Sequence, residues 1–89
     1  MLETQLEITN KLGLHARAAA KVVAIASRYN ARIRVHQGEQ AVDAKSIMGL
    51  LTLGAARGSQ LAITVDGEDE DEALAALTEL FQRNFDEED

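Results

Sequence analysis

Leu2, Thr4, Leu6 and Ile8 alternate with Glu3, Gln5 and Glu7, the period-two pattern of a strand with one buried face. The alternation breaks at Asn10 and Gly13, a turn signal, and from Ala16 a run of strong helix formers predicts a helix over 16–28. Its apolar stripe is Ala18, Val22, Ile25 and Ala26, its basic stripe Arg17, Lys21 and Arg28, and Asn30 is expected to close it. Ala31, Ile33 and Val35 then alternate with Arg32, Arg34 and His36 as a second strand, which leaves His36 exposed on the polar face. Gln37-Gly38-Glu39 predicts a hairpin turn and residues 40–44, centred on Val42, a short third strand. Ser46 is placed to cap a helix over 47–53. After a turn at Gly54 to Gly58, Leu61, Ile63 and Val65 alternate with Gln60, Ala62 and Thr64 as a fourth strand. Asp66-Gly67 leads into a last helix with an acidic start, Asp69 to Glu72, and a core stripe of Ala73, Leu77, Leu80 and Phe81. A frayed tail is expected from Asp86 onward.

The order is strand-helix-strand-strand-helix-strand-helix, with every strand apolar on one side only. That combination predicts an α+β domain whose antiparallel sheet is covered by helices on one face and open to water on the other. Pattern alone leaves strand order open, and a ferredoxin-like arrangement fits as well. The 47–53 helix is apolar on two sides: Leu50 and Leu53 point one way, Ile47, Met48 and Leu51 the other. A short helix in a small domain buries one such face, so the second is expected to be an exposed patch of the kind that marks partner surfaces, methionine suiting a surface that fits several partners.

Length and charge narrow the functions. At 89 residues the chain reads as one domain over 1–89, with no room for a deep cleft. It has no cysteine and two histidines, which leaves no donor set for a structural zinc site; neither a metal nor another cofactor is expected, and a reducing cytoplasm is compatible. The N-terminal residues have no signal-peptide pattern and no apolar run is long enough to span a bilayer, so cytoplasmic location without membrane insertion is the expectation. The net charge of -6 and the sparse aromatic set, Tyr29, Phe81 and Phe85, argue against nucleic acid as a partner. The charge is divided: residues 1–45 carry seven Lys/Arg against four Asp/Glu, and residues 46–89 two against eleven. The basic half contains His15 and Arg17, and such a field attracts anionic groups and acidic partners.

His15 is therefore the residue with the most chemical promise. It stands where a loop becomes a helix, and a helix start offers unpaired backbone N–H groups and partial positive charge to an anion. Arg17, in the first turn, adds a guanidinium that suits phosphate oxygens. A neutral imidazole is a competent nucleophile near pH 7. Phosphoryl transfer asks mainly for positioning and charge stabilisation, which a few groups at a helix tip can supply. Arg57 is a further candidate cation.

Gly13-Leu14-His15-Ala16-Arg17, with Asn10 before it and an Ala-rich helix after it, resembles the active-site signature of the HPr family, histidine-containing phosphocarriers of bacterial phosphotransferase systems. Ala44-Lys45-Ser46-Ile47-Met48-Gly49-Leu50-Leu51 resembles that family's second signature, around its regulatory serine. The wording of residues 10–13 and the acidic ending are more similar to the nitrogen-related (NPr) branch and proteobacterial relatives. The resemblance implies an open-faced β-sandwich, βαββαβα, with strand order 1-4-2-3 and three helices on one face. It implies that His15 accepts a phosphoryl group from an enzyme I-type protein charged by phosphoenolpyruvate and passes it to an enzyme IIA-type protein. Arg17 and the backbone N–H groups of Ala16 and Arg17 would hold the phosphate. Leu14, Ala20, Lys21, Ile47, Met48 and Leu51 would dock partners, and a serine kinase/phosphorylase would act on Ser46. The protein would be a monomeric carrier and cosubstrate, not an enzyme. Most family members have proline where this chain has Ala18, and no proline occurs anywhere in it. A different class of function, a regulatory module that binds proteins through Ile47, Met48 and Leu51 without transferring phosphate, would need neither His15 nor Arg17. A metabolite-binding ferredoxin-like domain has little polar clustering elsewhere to support it.

Overall fold

In the computed structural model, which describes residues 1–87, the alternating stretches become four strands and the amphipathic ones three helices. Strand β1 spans Leu2–Glu7, helix α1 Ala16–Ala26, β2 Arg32–Gln37, β3 Gln40–Asp43, α2 Ile47–Leu53, β4 Gln60–Asp66 and α3 Glu70–Gln82, followed by a short turn at Asn84–Asp86. The strands form one antiparallel sheet in the order β1-β4-β2-β3. This is the α+β open-faced sandwich with order 1-4-2-3 that the family resemblance implies, and the ferredoxin-like alternative falls.

Register explains the burial. Thr4 faces Ile63, Ile63 faces Val35 and Val35 faces Val42, a row that crosses all four strands on the helix side. A second row runs Leu2, Val65, Ile33. Side chains one position along point to the opposite, wet face: Glu3, Arg34 and Asp43 are exposed there. His36 lies on that face but is half-buried, its Nε2 3.1 Å from Thr64 Oγ1 across the β2–β4 pairing, because a central-strand ring has neighbours on both sides. The helices close the other face with Ala18, Ala19 and Val22 of α1, Leu50 and Leu53 of α2, and Ala73, Leu77, Leu80 and Phe81 of α3.

Three expectations change. Helix α1 stops at Ala26 instead of 28, and Asn30 does not cap it; Ser27 holds the C-cap position. The backbone N–H groups of Asn30 and Ala31 instead donate to the two carboxylate oxygens of Asp69, at 2.8 and 2.9 Å. Asp69, at the N-cap position of α3, makes no side-chain cap bond, so it is a tie between two loops, and Glu70 receives the Gly67 N–H at 3.1 Å. The tail is the third change. Phe85 is buried against Phe81, with ring centroids 4.9 Å apart, and Asp86 and Glu87 lie back against α1; the remainder of the expected frayed tail, residues 88–89, lies outside the described residues.

Candidate functional site

The loop before α1 is held by its backbone. Gly13 adopts φ +69°, and a Cβ built there would stand 2.5 Å from the Ala55 carbonyl oxygen, so both conformation and space require glycine. Leu14 N–H donates to that same carbonyl at 2.8 Å. Leu14, expected among the docking residues, is 4 % exposed: its side chain fills the core and supports the loop from beneath. Asn10 is fully buried and its Nδ2 donates to the Gly13 carbonyl at 2.8 Å. The loop is thereby pinned at Asn10, Gly13 and Leu14, and His15 follows as the N-cap residue of α1.

His15 has extended backbone at the N-cap and makes no side-chain cap bond. Its ring is therefore not spent on the helix, and the first-turn N–H groups of Ala16, Arg17 and Ala18, which have no carbonyl of their own turn to bond, retain the anion-binding character of a helix start. Ala18, where the family mostly has proline, keeps one such N–H. The imidazole, Lys11, Leu12, Ala16, Arg17, Lys21, Asp86 and Glu87 line an open depression of about 780 Å³. Arg17 is exposed, and among the described residues no carboxylate forms an ion pair with it. Arg57 does not line this depression; its loop contributes through Ala55, beneath Gly13.

The sequence did not point to Glu87. Its carboxylate meets His15 Nε2 and also accepts a hydrogen bond from Asn10 Nδ2 at 2.9 Å. Burial pushes the Glu87 carboxyl upward, but the hydrogen bonds from Asn10 and His15, with the charges of His15 and Lys21, outweigh it and hold the group below the usual carboxylate range. Lys21, another expected docking residue, donates Nζ to the Phe85 carbonyl at 2.7 Å and lies 3.6 Å from Asp86. Its charge thus faces the tail. Asn84, Phe85 and Asp86 all have left-handed backbone, with φ of 54°, 57° and 62°, and this turn brings Glu87 over the ring.

On the neighbouring helix, α2, Leu50 and Leu53 are buried while Ile47, Met48 and Leu51 are 41, 75 and 37 % exposed, as their opposite facing predicts. Ala20 is exposed too, and Leu12, which sequence reasoning passed over, is 69 % exposed beside His15. Ser46 Oγ accepts the Gly49 N–H at 3.1 Å and so caps α2.

A histidine on a helix tip in an open depression, beside a guanidinium with no ion pair among the described residues, is an arrangement suited to carrying a group between larger molecules. Comparison with known proteins agrees. Residues 2–83 match the family model described as "PTS HPr component phosphorylation site". The chain is 52 % identical over 84 residues to the phosphocarrier protein HPr of Pseudomonas aeruginosa, covering 93 % of each, and 45 % identical over 86 residues to the phosphocarrier protein NPr of Shewanella violacea, covering 97 % of this chain and 94 % of that one. Among solved structures, HPr-C-His from Thermoanaerobacter tengcongensis superposes with a TM-score of 0.95 at 44 % identity, covering 99 % of both chains. The chain belongs to the HPr family. It is a phosphoryl carrier of the phosphotransferase system and not itself an enzyme. No helix among the described residues is long and apolar enough to cross a membrane.

Proposed function

We propose that His15 is the residue that carries the phosphoryl group, on Nδ1, taking it from an enzyme I-type protein charged by phosphoenolpyruvate and passing it to an enzyme IIA-type protein. The observation that carries this reading is that His15 stands at the N-cap of α1 without using its ring to cap it. The imidazole is left available at the place where the backbone N–H groups of Ala16 and Arg17 and the Arg17 guanidinium converge on an anion. The depression is shallow, so these donors hold a phosphoryl group loosely enough for a second protein to remove it. Partners dock on Ile47, Met48 and Leu51 of α2 together with Ala20 and Lys21 of α1, and the exposure of Leu12 extends this apolar surface to the edge of the reactive ring. Ser46 is the regulatory phosphorylation candidate for a serine kinase/phosphorylase. A phosphate on its Oγ gains from the α2 dipole and acts by repelling an acidic partner more than by unfolding the cap. The carrier works in the cytoplasm as a monomer of one domain over 1–89, in sugar or nitrogen-related regulation.

Incubation with phosphoenolpyruvate and a cognate enzyme I gives an acid-labile, alkali-stable phosphoprotein, and His15→Ala abolishes the label; equal labelling of that variant refutes the assignment. Met48→Asp weakens transfer by loosening docking, which appears as a raised KM for the carrier. Unchanged transfer refutes the docking surface.

A further inference from the structure

We propose that Glu87 is a positioning residue for the carrier histidine, the middle member of an Asn10–Glu87–His15 relay that fixes the imidazole's tautomer and orientation. The inference rests on the carrier reading above and adds to it a residue from the far end of the chain.

Asn10 is fully buried, and its Nδ2 has two partners, the Gly13 carbonyl at 2.8 Å and Glu87 Oε1 at 2.9 Å. Both partners only accept, so the amide orientation is settled by chemistry: turned over, Asn10 Oδ1 would face two acceptors. Asn10 Oδ1 is itself buried without a hydrogen bond among the described residues. An amide held at that expense to aim its donors implies that the donors matter.

The second link is the carboxylate. One oxygen of Glu87 is taken by Asn10, and the other faces His15 Nε2. The Glu87 side chain is 14 % exposed and the His15 side chain 27 %, so the contact is partly withdrawn from water. Glu87 titrates below the usual carboxylate range. An ionised carboxylate only accepts, so the proton of the neutral ring must lie on Nε2 and the lone pair on Nδ1. This is the logic by which a carboxylate orients a catalytic or metal-binding histidine through the nitrogen that does not react.

The third link is what holds Glu87 there. Phe85 is 1 % exposed, the Asn84 side chain receives the Thr9 hydroxyl, Lys21 Nζ holds the Phe85 carbonyl, and Arg83 Nε donates to Asp86 at 2.8 Å. Three successive non-glycine residues accept left-handed backbone to make the turn, a conformation that only strong surrounding contacts sustain.

In the transfer step the Nδ1 lone pair forms the new P–N bond as the bond from phosphorus to the donor's atom breaks, its electron pair staying with the donor. The proton already on Nε2 remains on the ring, which becomes positively charged, and Glu87 faces that charge at the moment it develops. On the return step the same proton keeps Nδ1 a good leaving group. The relay therefore sets which nitrogen reacts, turns it outward, and stabilises the charged ring in both directions.

The test uses the full-length protein as Glu87→Ala and Glu87→Gln beside wild type. Ring 15N shifts at about pH 8.5, where an unperturbed imidazole is neutral, read the tautomer directly. The expected result is a single Nε2–H tautomer for His15 in wild type and an Nδ1–H population in both variants, since the one acceptor oxygen of Glu87→Gln is claimed by Asn10 Nδ2 and its NH2 is left to face Nε2. Phosphorylation by a phosphoenolpyruvate-charged enzyme I should slow by roughly ten-fold or more in both Glu87→Ala and Glu87→Gln, within the span of a charge-assisted hydrogen bond, with the KM for the carrier little changed. A tail that merely packs on α1 would leave tautomer and turnover alike in all three proteins, and that result overturns the proposal. If wild type takes no phosphoryl group, the carrier reading fails while the tautomer comparison still decides the relay.

Discussion

Gly13 and Glu87 act on the same ring from opposite ends of the chain, and each supports a sharp expectation. Gly13→Ala places a Cβ 2.5 Å from a carbonyl oxygen at φ +69°. Left-handed strain alone costs about 1–2 kcal/mol, and relieving the clash must move the Ala55 loop, so a loss of at least about 2 kcal/mol is expected in urea unfolding. The Glu87 expectation concerns pH. Its pKa is lower folded than unfolded, so its contribution is complete above the ordinary glutamate pKa and is lost as pH falls through the folded value. Acidification through that window should free the tail, visible as loss of the Glu87 and Phe85 native shifts in NMR spectra, and Glu87→Gln should shrink this acid transition to the part contributed by Asp86, which Arg83 and Lys21 also hold below its ordinary value. Part of this site was legible. His15 and Arg17 could be found because a loop-to-helix change is local in sequence. The Glu87 contact could not, since it spans 72 residues and depends on a left-handed turn made without glycine, for which Asn84-Phe85-Asp86 gives no signal. Leu14 was misread for a related reason: beside a reactive histidine an apolar residue suits docking or core equally, and only the Ala55 contact decides.

At the scale of elements, α2 and the tail carry opposite lessons. Helix α2 was readable because seven residues with two apolar sides can bury only one of them. Its cap was readable from Ser46 alone, and Ser46→Ala should lower stability by about 1 kcal/mol without altering the fold, measurable by thermal or urea unfolding. The end of α1 was not readable, because what holds Asn30 and Ala31 is Asp69, a residue whose acidic neighbours at the start of α3 suggest only a helix dipole effect. The tail behaves as a separate element pinned by one aromatic ring. Phe85→Ala removes a fully buried side chain and should cost about 3 kcal/mol, less if the tail simply lifts away. Lifting would appear as loss of amide protection confined to residues 83–87, with α1, β1, β2 and β4 unaffected.

The molecule as a whole is electrically two-sided in sequence, positive through residue 45 and strongly negative beyond it. Because Arg17 lies in the basic half and stays unpaired among the described residues, association with an acidic partner should slow several-fold when ionic strength rises from about 20 to 500 mM, whereas the hydrophobic part of docking on Met48 persists. Stopped-flow association rates across that range check it; a salt-insensitive rate would mean that the patch alone guides encounter. The closing of the His15 loop by the far end of the chain also bears on synthesis. On the ribosome, an emerging chain complete through residue 82 already has every strand and all three helices, yet its imidazole still lacks the carboxylate supplied five positions later. Completion of the sheet and helices and completion of the site are thus separate events in time, and under the proposed relay a product ending at residue 82 would carry His15 without the carboxylate that selects its nitrogen.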